Sequence, residues 1–231
     1  IKVFRVERSG KVAGHFSMSL PPAHAPGRKA EIPSGLAISP DGKQLYVCGN
    51  LSNRLLELDA QDGKLLRVWD VGVAPFDVAL VGRKAYVSNW GGRRPESGDV
   101  TGPAGRGTRV RVDTTRHIAS EGSVSVVELD SKSEIRNPKS EILTGLHASA
   151  LTVSPNQRWL VVANAGGDTL SVLDTRTDQI VETICARQNP ADLFGAQPCA
   201  LAFDKSGKAL YACNGSQNAV AVFDFKPGKS T

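Results

Sequence analysis

Several features are missing from this 231-residue sequence, and each absence excludes a class of protein. No run of 18 apolar residues occurs, so no helix is predicted to span a membrane. The four cysteines, Cys48, Cys185, Cys199 and Cys213, contain no Cys-x-x-Cys pair and have no histidine at metal-ligand spacing. A structural zinc site is therefore not expected. Cys185 and Cys199 flank one loop, and the sequence does not decide whether they form a disulfide.

Histidine is also scarce, and the positive charge is dispersed. The four histidines, His15, His24, His117 and His147, are widely spaced, which argues against a two-metal hydrolase site, so we predict no metal and no cofactor. The formal net charge is +5, but the basic residues neither cluster on one helix nor alternate with aromatic residues, so nucleic-acid binding is not predicted. The chain opens with Ile1 rather than Met, so a missing targeting segment is uninformative.

One unit is repeated four times along the chain. It consists of an apolar strand, a polar turn, a second strand rich in Tyr, Val and Ala, and a final Asn or Gly. The copies read GLAISPDGKQLYVCGN (35–50), DVALVGRKAYVSNW (77–90), ALTVSPNQRWLVVANA (150–165) and ALAFDKSGKALYACNG (200–215). A third strand follows each copy, and a fourth follows three of them. Four antiparallel strands about every 40 residues indicate an all-β fold, the β-propeller.

The spacing of the copies divides the chain into blades within a single, partial propeller domain, 1–231. We expect a half blade at 1–20, full blades at 32–72, 73–145 and 146–187, and a blade lacking its last strand at 188–231. That gives about four and a half blades, and we interpret the chain as an excerpt of a seven-bladed ring. Residues 91–122 are an insertion between the second and third strands of their blade.

Propeller geometry places the irregular segments on one face. Loops between the second and third strands lie on the same face as the connectors between blades, so the 91–122 insertion, the loop at 186–198 and the segment around His147 should meet there. Loops carry most binding functions, so this face is where we expect a site.

The candidate residues of this face each have two interpretations. Arginine forks suit carboxylate or phosphate groups, so the insertion's arginines are candidates for binding a small anion at the channel mouth or for docking a domain. They could equally pair with the insertion's own acids. Trp90 is a stacking platform or a packing residue, and His147 is a ligand, a base or a structural hydrogen-bonding group. The candidates are Trp90, Arg93, Arg94, Asp99, Arg109, Arg111 and His147, with Arg106, Arg116, Glu96 and Asp113 as further charged residues of the insertion.

Asparagines recur near the end of the second strand of each blade, at Asn50, Asn89, Asn164 and Asn214. A single active site has no use for four copies of one group, so we predict a structural role for all four.

The second strands LYVCGN, AYVSNW, LVVANA and LYACNG resemble the YVTN or YncE-like propeller repeat. The insertion VSNWGGRRPESGDVTGP, with EGSVSVVELD after it, resembles that of bacterial two-part proteins in which such a propeller precedes a phosphoesterase domain of the alkaline-phosphatase superfamily. The resemblance implies a ring of about seven blades, a periplasmic or extracellular location, and an attached phosphoesterase as partner. The sequence lacks that domain's Asp/His metal set and its Thr/Ser nucleophile, so no catalytic residue is assigned.

Three functions follow as hypotheses. The favoured one is a non-catalytic binding or scaffold module that accompanies a phosphoesterase domain, so the chain itself is not predicted to be an enzyme. The first alternative is a hydrolase resembling the seven-bladed lactonase propellers, with His147, Asp192 and the arginines at the channel rim. The second is a propeller for adhesion or protein interaction without a catalytic partner.

Overall fold

The computed structural model describes residues 1–23, 25–105, 107–130 and 138–231, and within them the chain forms nineteen β-strands and one 3₁₀ turn at Gly215–Gln217. The strands are β1 Lys2–Val6, β2 Val12–Ser17, β3 Pro33–Ile38, β4 Gln44–Gly49, β5 Arg54–Asp59, β6 Leu65–Asp70, β7 Pro75–Val81, β8 Lys84–Asn89, β9 Thr101–Pro103, β10 Arg109–Arg111, β11 Gly122–Glu128, β12 Ser140–Thr144, β13 Ala148–Val153, β14 Trp159–Asn164, β15 Thr169–Asp174, β16 Gln179–Cys185, β17 Pro198–Phe203, β18 Ala209–Asn214 and β19 Ala219–Asp224.

The strands assemble into antiparallel sheets that follow the sequence repeat. Three sheets have four strands, in the orders β3-β4-β5-β6, β7-β8-β11-β12 and β13-β14-β15-β16, and a fourth sheet has the order β17-β18-β19. We call these blades 1 to 4. Hairpin β1-β2 precedes them, and hairpin β9-β10 lies inside the insertion. The fold is a β-propeller arc, and the predicted fold class is confirmed.

Polar turns between the first two strands recur because the same local hydrogen bonds recur. In blade 1 the Ser39 hydroxyl donates to Asp41 at 2.6 Å and accepts the Gln44 amide at 2.9 Å, while Gly42 takes a positive φ of 72°. In blade 3, Ser154 donates to Asn156 at 2.7 Å. Such side-chain bonds to nearby backbone favour turns over continued strand, which is why the apolar runs stop there.

The first strands of the blades, β3, β7, β13 and β17, lie side by side and form the inner wall of the arc. Each carries a bulge near its start. Hydrogen bonds at these bulges join the first strands of adjacent blades. Ser34 Oγ donates to the Pro75 carbonyl at 2.7 Å, and Ser149 Oγ donates to the Pro198 carbonyl at 3.4 Å. The bulges therefore free backbone groups that fasten one blade to the next.

The hydrophobic core is divided among the blade interfaces. One cluster joins blades 1 and 2 around Trp69 and Val87, a second joins blades 2 and 3 around Tyr86 and Leu160, and a third joins blades 3 and 4. Blades 1 to 3 bury both faces of their middle strands, so the sequences of those strands are nearly continuously apolar, whereas β18 of blade 4 alternates between buried and exposed residues.

The N-terminal hairpin packs on the face of blade 1 that points away from blade 2. Met18 and Phe16 of this segment join the apolar cluster of Val47 and Leu56. This hairpin is the half blade expected at 1–20, and its second strand, β2, ends at Ser17. Ile1 and Met18 exchange two backbone hydrogen bonds of 2.8 Å, so the pairing of the hairpin extends to Met18. No helix in the described part of the chain has the length and hydropathy needed to cross a membrane.

Candidate ligand site at the channel mouth

The turns between second and third strands touch the connectors between blades, so both lie on one face, which we call the mouth face. Asn53, in the β4–β5 turn, accepts the amide of Ala74, in the connector to blade 2, at 2.9 Å. Ala165, after β14, donates to the carbonyl of His147 at 3.1 Å. The insertion joins the same face, since Gly91 donates to Val73 at 2.9 Å. These contacts place the insertion and the segment around His147 on the mouth face, and the predicted meeting of both with the loop at 186–198 stays a prediction.

The residue before each of three inner strands has a left-handed backbone. These residues are Ala74, His147 and Gln197, with φ values of 52°, 58° and 51°. Non-glycine residues adopt this region at some cost, so the recurrence shows that the connector geometry itself requires it. The position is structural, and the side chain it carries is free to differ from blade to blade.

At the mouth face, two predicted candidates come together. The rings of Trp90 and His147 stack with centroids 3.7 Å apart and planes 3° from parallel. Gly166 makes room for the imidazole, because a methyl group there would overlap the His147 ring. The sequence identified Trp90 and His147 as separate candidates, and the packing of blade 2 against blade 3 brings their rings into contact.

Burial lowers the pKa of His147 below its ordinary value. The neutral imidazole is therefore the dominant form at pH 7, and a neutral imidazole can accept a proton. No hydrogen bond to the His147 ring occurs within the described ranges. Stacking on Trp90 thus fixes the plane of the half-buried ring, and no described residue hydrogen-bonds to its basic nitrogen.

The insertion's arginines pair within the propeller. Arg93 forms a bidentate bond with Glu121, with Nη2 2.8 Å from Oε2 and Nε 3.1 Å from Oε1. Arg94 bonds Asp70 and two carbonyls of blade 1, Arg111 bonds Asp99, and Arg109 bonds Thr101. Arg106 lies outside the described residues. Anion binding or domain docking by these arginines stays a prediction, and their observed contacts fasten the insertion.

We expect Arg93→Ala to loosen the insertion, because it leaves the carboxylate of Glu121, 12% exposed, without its bidentate partner. Limited proteolysis should then cut within 91–122 several-fold faster than in the wild type. The matched control is Arg116→Ala, since the Arg116 side chain is 71% exposed. Equal cleavage rates in all three proteins would show that the Arg93–Glu121 pair does not hold the insertion.

A hairpin, β9-β10, gives the insertion its own small core. Val110 and Val112 pack against Val73 of the connector between blades 1 and 2. Gly91 permits this approach, because a methyl group there would lie 2.7 Å from Val110 and 2.9 Å from Val73. The hairpin turn is consequently held over the start of β7.

Between the hairpin turn and the wall lies a cavity of about 340 Å³. We call it the Trp90 pocket, and it is lined by Asn50, Leu51, Ala74, Phe76, Trp90, Ala104, Gly105 and Thr108. Its side chains come from blade 1, blade 2 and the insertion. The volume falls in the range of small-molecule sites, about 300–1,000 Å³.

Phe76 and Leu51 are among the pocket residues that the sequence did not single out. Phe76, 40% exposed, occupies the bulge position held by Ser34 in blade 1 and Ser149 in blade 3. Alignment of the four blades would have revealed the exchange of serine for an aromatic residue. Leu51 follows the repeat directly and carries no comparable signal.

The grouping of Asn50 with the recurrent asparagines is wrong by one position. In blade 1 the residue paired with the first strand at this level is Gly49, whereas the other blades use Asn89, Asn164 and Asn214. The side chains of those three asparagines are buried, and each donates a hydrogen bond to an adjacent strand or connector, as their predicted structural role requires. Asn50 instead lies one residue further on, at the position of Trp90, and it lines the pocket.

Asp77 is the one carboxylate within β3, β7, β13 and β17. Its Oδ2 accepts the amide of Leu151 at 2.9 Å, across the junction of blades 2 and 3, and its Oδ1 accepts the amide of Val78 at 2.9 Å. Burial raises the pKa of Asp77 despite these bonds. Phe76 has no hydroxyl to join the inner strands of blades 2 and 3; the Asp77 carboxyl joins them instead, and Ser88 of β8 adds a bond from its Oγ to the Ser149 carbonyl.

A carboxyl whose pKa is raised in the folded protein stabilises the fold below its unfolded pKa, about 3.9. That contribution is lost as pH rises through the folded value. Asp77→Asn keeps an acceptor for Leu151 without the charge, so its stability advantage over the wild type should grow from pH 3 to pH 7. Denaturant midpoints across this range measure it, with exposed Asp192→Asn as control. A pH-independent difference would contradict the assigned cause.

The remaining candidates lie apart from this cluster. Asp192 accepts the Asn189 amide at 3.1 Å within its own exposed loop, and all four cysteines are free thiols. Among the described residues, no group of three or more His, Cys, Asp or Glu side chains is placed to hold a metal ion.

Comparison with known proteins extends these observations. Residues 120–231, which include His147, match the family model described as a lactonase, a seven-bladed β-propeller. No curated protein sequence matches the chain significantly. The β-propeller with a lactonase-like second half is thus supported, and the YncE-like and phosphoesterase features are not.

Solved structures show the same fold at low identity. One, from Bacteroides uniformis, is described as a candidate 6-phosphogluconolactonase and has a TM-score of 0.69 at 14% identity. A similar Bacteroides fragilis protein has a TM-score of 0.67 at 14% identity; both alignments cover 100% of this chain and 62% of the other. The periplasmic gluconolactonase of Pseudomonas aeruginosa has a TM-score of 0.65 at 18% identity, over 99% of this chain and 61% of that one. This chain spans about three fifths of these structures.

Proposed function

We propose that the protein is a hydrolase that opens sugar lactones at the mouth face. The observation that carries the proposal is the position of His147. It is a half-buried imidazole with a lowered pKa, stacked on Trp90, and it lies in the part of the chain that matches the lactonase family. This function is the alternative reading of the sequence, and the comparisons favour it over the scaffold.

The chemistry requires one group that takes and returns a proton. The neutral imidazole of His147 would accept a proton from water while the water oxygen adds to the lactone carbonyl carbon. The ring C–O bond then breaks in the tetrahedral intermediate, and the departing oxygen takes the proton back from the imidazolium. The product is the open-chain hydroxy acid. Trp90 would hold the imidazole plane throughout.

The scaffold hypothesis gains less from the structure. It rests on arginines that would reach a neighbouring domain, and the observed side chains of Arg93, Arg94 and Arg111 already bond acids of the propeller. An attached phosphoesterase partner, a small anionic ligand, and a periplasmic or extracellular location remain predictions from the resemblance.

The test is turnover of 6-phosphogluconolactone and glucono-δ-lactone by the full-length protein. Acid release should exceed the spontaneous rate in buffer, saturate with substrate and scale with protein concentration. Absence of turnover at high protein concentration would overturn the proposal. In that case, saturable binding of a separately produced phosphoesterase domain would favour the scaffold.

A further inference from the structure

We infer that the Trp90 pocket is a second subsite, which binds the ring of a sugar attached to the lactone. The inference rests on the proposed function and names its substrate class, a glycosyl-substituted lactone. Three observations carry it: the contact of Trp90 with both the pocket and His147, the aromatic residue Phe76 in place of serine, and the polar groups of the lining.

The indole of Trp90 contacts both the pocket and the His147 ring. His147, which begins blade 3, covers one part of the indole by stacking. The pocket is built from blades 1 and 2 and the insertion, and His147 is not among its lining residues. A molecule that fills the pocket therefore contacts Trp90 without occupying the place of the imidazole. A substrate that fills the pocket and also reaches His147 must therefore extend past Trp90, which requires two parts.

The lining fits a saccharide ring. Trp90 and Phe76 provide aromatic surfaces, and Leu51, Ala74 and Ala104 extend the apolar wall. The C–H faces of a pyranose pack well on such surfaces, since aromatic side chains bury large apolar area.

Polar groups complete the pocket. Asn50 is held by its bond from Nδ2 to the Pro75 carbonyl at 3.1 Å, and Thr108 contributes a hydroxyl. A few placed polar groups in a mainly apolar cavity give orientation and specificity to small-molecule sites. Ring hydroxyls are suitable partners for an amide and an alcohol.

The pocket is a built feature rather than a gap between loops. The hairpin turn that forms its outer wall is closed by bonds between Ala104 and Thr108 at 2.9 Å and between Thr108 and Gly105 at 2.9 Å. The hairpin is anchored on the connector by Val110 against Val73. In the repeat, Ser34 and Ser149 hold the place of Phe76, so the aromatic residue is not required by the fold.

That repeat supplies the test variant. Phe76→Ser restores the residue that blades 1 and 3 use, so the variant should fold. The control is Phe194→Ser, since Phe194 is 72% exposed on the mouth face and does not line the pocket. The measured quantity is kcat/KM for lactobiono-δ-lactone, a disaccharide lactone, divided by kcat/KM for glucono-δ-lactone.

We expect this ratio to exceed one in the full-length wild type, to fall about tenfold in Phe76→Ser, and to stay at the wild-type value in Phe194→Ser. A ratio that Phe76→Ser does not change would overturn the subsite while leaving the lactonase intact. If neither lactone is hydrolysed, the proposed function fails and calorimetry with lactose decides the subsite. Binding that weakens in Phe76→Ser would support it, and no binding would overturn it.

Discussion

Replacing His147 with glutamine is expected to lower kcat for lactone hydrolysis by about 10²- to 10⁴-fold, the usual contribution of a general base. Glutamine cannot take a proton from water at neutral pH. The fold should tolerate the change, because Gln197 occupies the equivalent left-handed position before blade 4, with φ of 51° against 58° for His147. Steady-state kinetics at a pH where spontaneous hydrolysis is slow measures the effect.

The matched control for this variant is His15→Gln, in the N-terminal hairpin, where His15 is exposed. It should retain wild-type kinetics. Equal activity of His147→Gln and the wild type, with both proteins folded, would remove His147 from the proposed chemistry. Loss of structure in His147→Gln would show instead that the Trp90–His147 stack supports the blade interface.

The largest effect on stability is expected at Tyr86, which is fully buried between blades 2 and 3. Its hydroxyl donates to Asp178 at 2.6 Å, and Lys84 bonds the same carboxylate at 2.9 Å. Tyr86→Ala should lower the free energy of unfolding by about 3–5 kcal/mol, through the lost apolar contact and the cavity left behind. Denaturant titration measures it.

Tyr86→Phe divides this loss into its parts. It keeps the ring and removes the hydroxyl, and should cost about 1–3 kcal/mol because Asp178 loses a donor in a mostly buried place. Tyr211→Ala is the control, since Tyr211 is 38% exposed on blade 4 and should change stability by less than about 1 kcal/mol. Equal losses for Tyr86→Ala and Tyr211→Ala would contradict the role of blade packing.

Much of the fold could be predicted because each blade repeats the same local chemistry. Alternating apolar residues and turns such as Ser39–Gly42 locate the strands within a residue or two. The half blade expected at 1–20 is shorter as a hairpin, because the apolar pattern runs on to Leu20 while the backbone pairing ends at Met18 opposite Ile1. Hairpin β9-β10 was missed too, because three-residue strands in a charged insertion leave almost no periodic signal.

The candidate site was predictable only in part. The mouth face followed from blade topology, and Trp90 and His147 were both named. Their contact depends on how blade 2 packs against blade 3, which no local pattern encodes. The role of the arginines depended on which acid each one meets, and Arg94 meets Asp70 in a different blade. To recognise the special positions of Phe76 and Asn50, the blades must be aligned by their strand pairing rather than by sequence similarity.

The pH dependence of kcat/KM for glucono-δ-lactone tests the account most directly. The pKa of His147 is lowered by burial, so kcat/KM should rise with pH and reach its plateau. The midpoint of this rise should lie at a lower pH than for a histidine with the ordinary pKa of about 6.5. The rise should disappear in His147→Gln. No acceleration over buffer at any pH, or a profile that His147→Gln leaves unchanged, would contradict lactone hydrolysis at the mouth face.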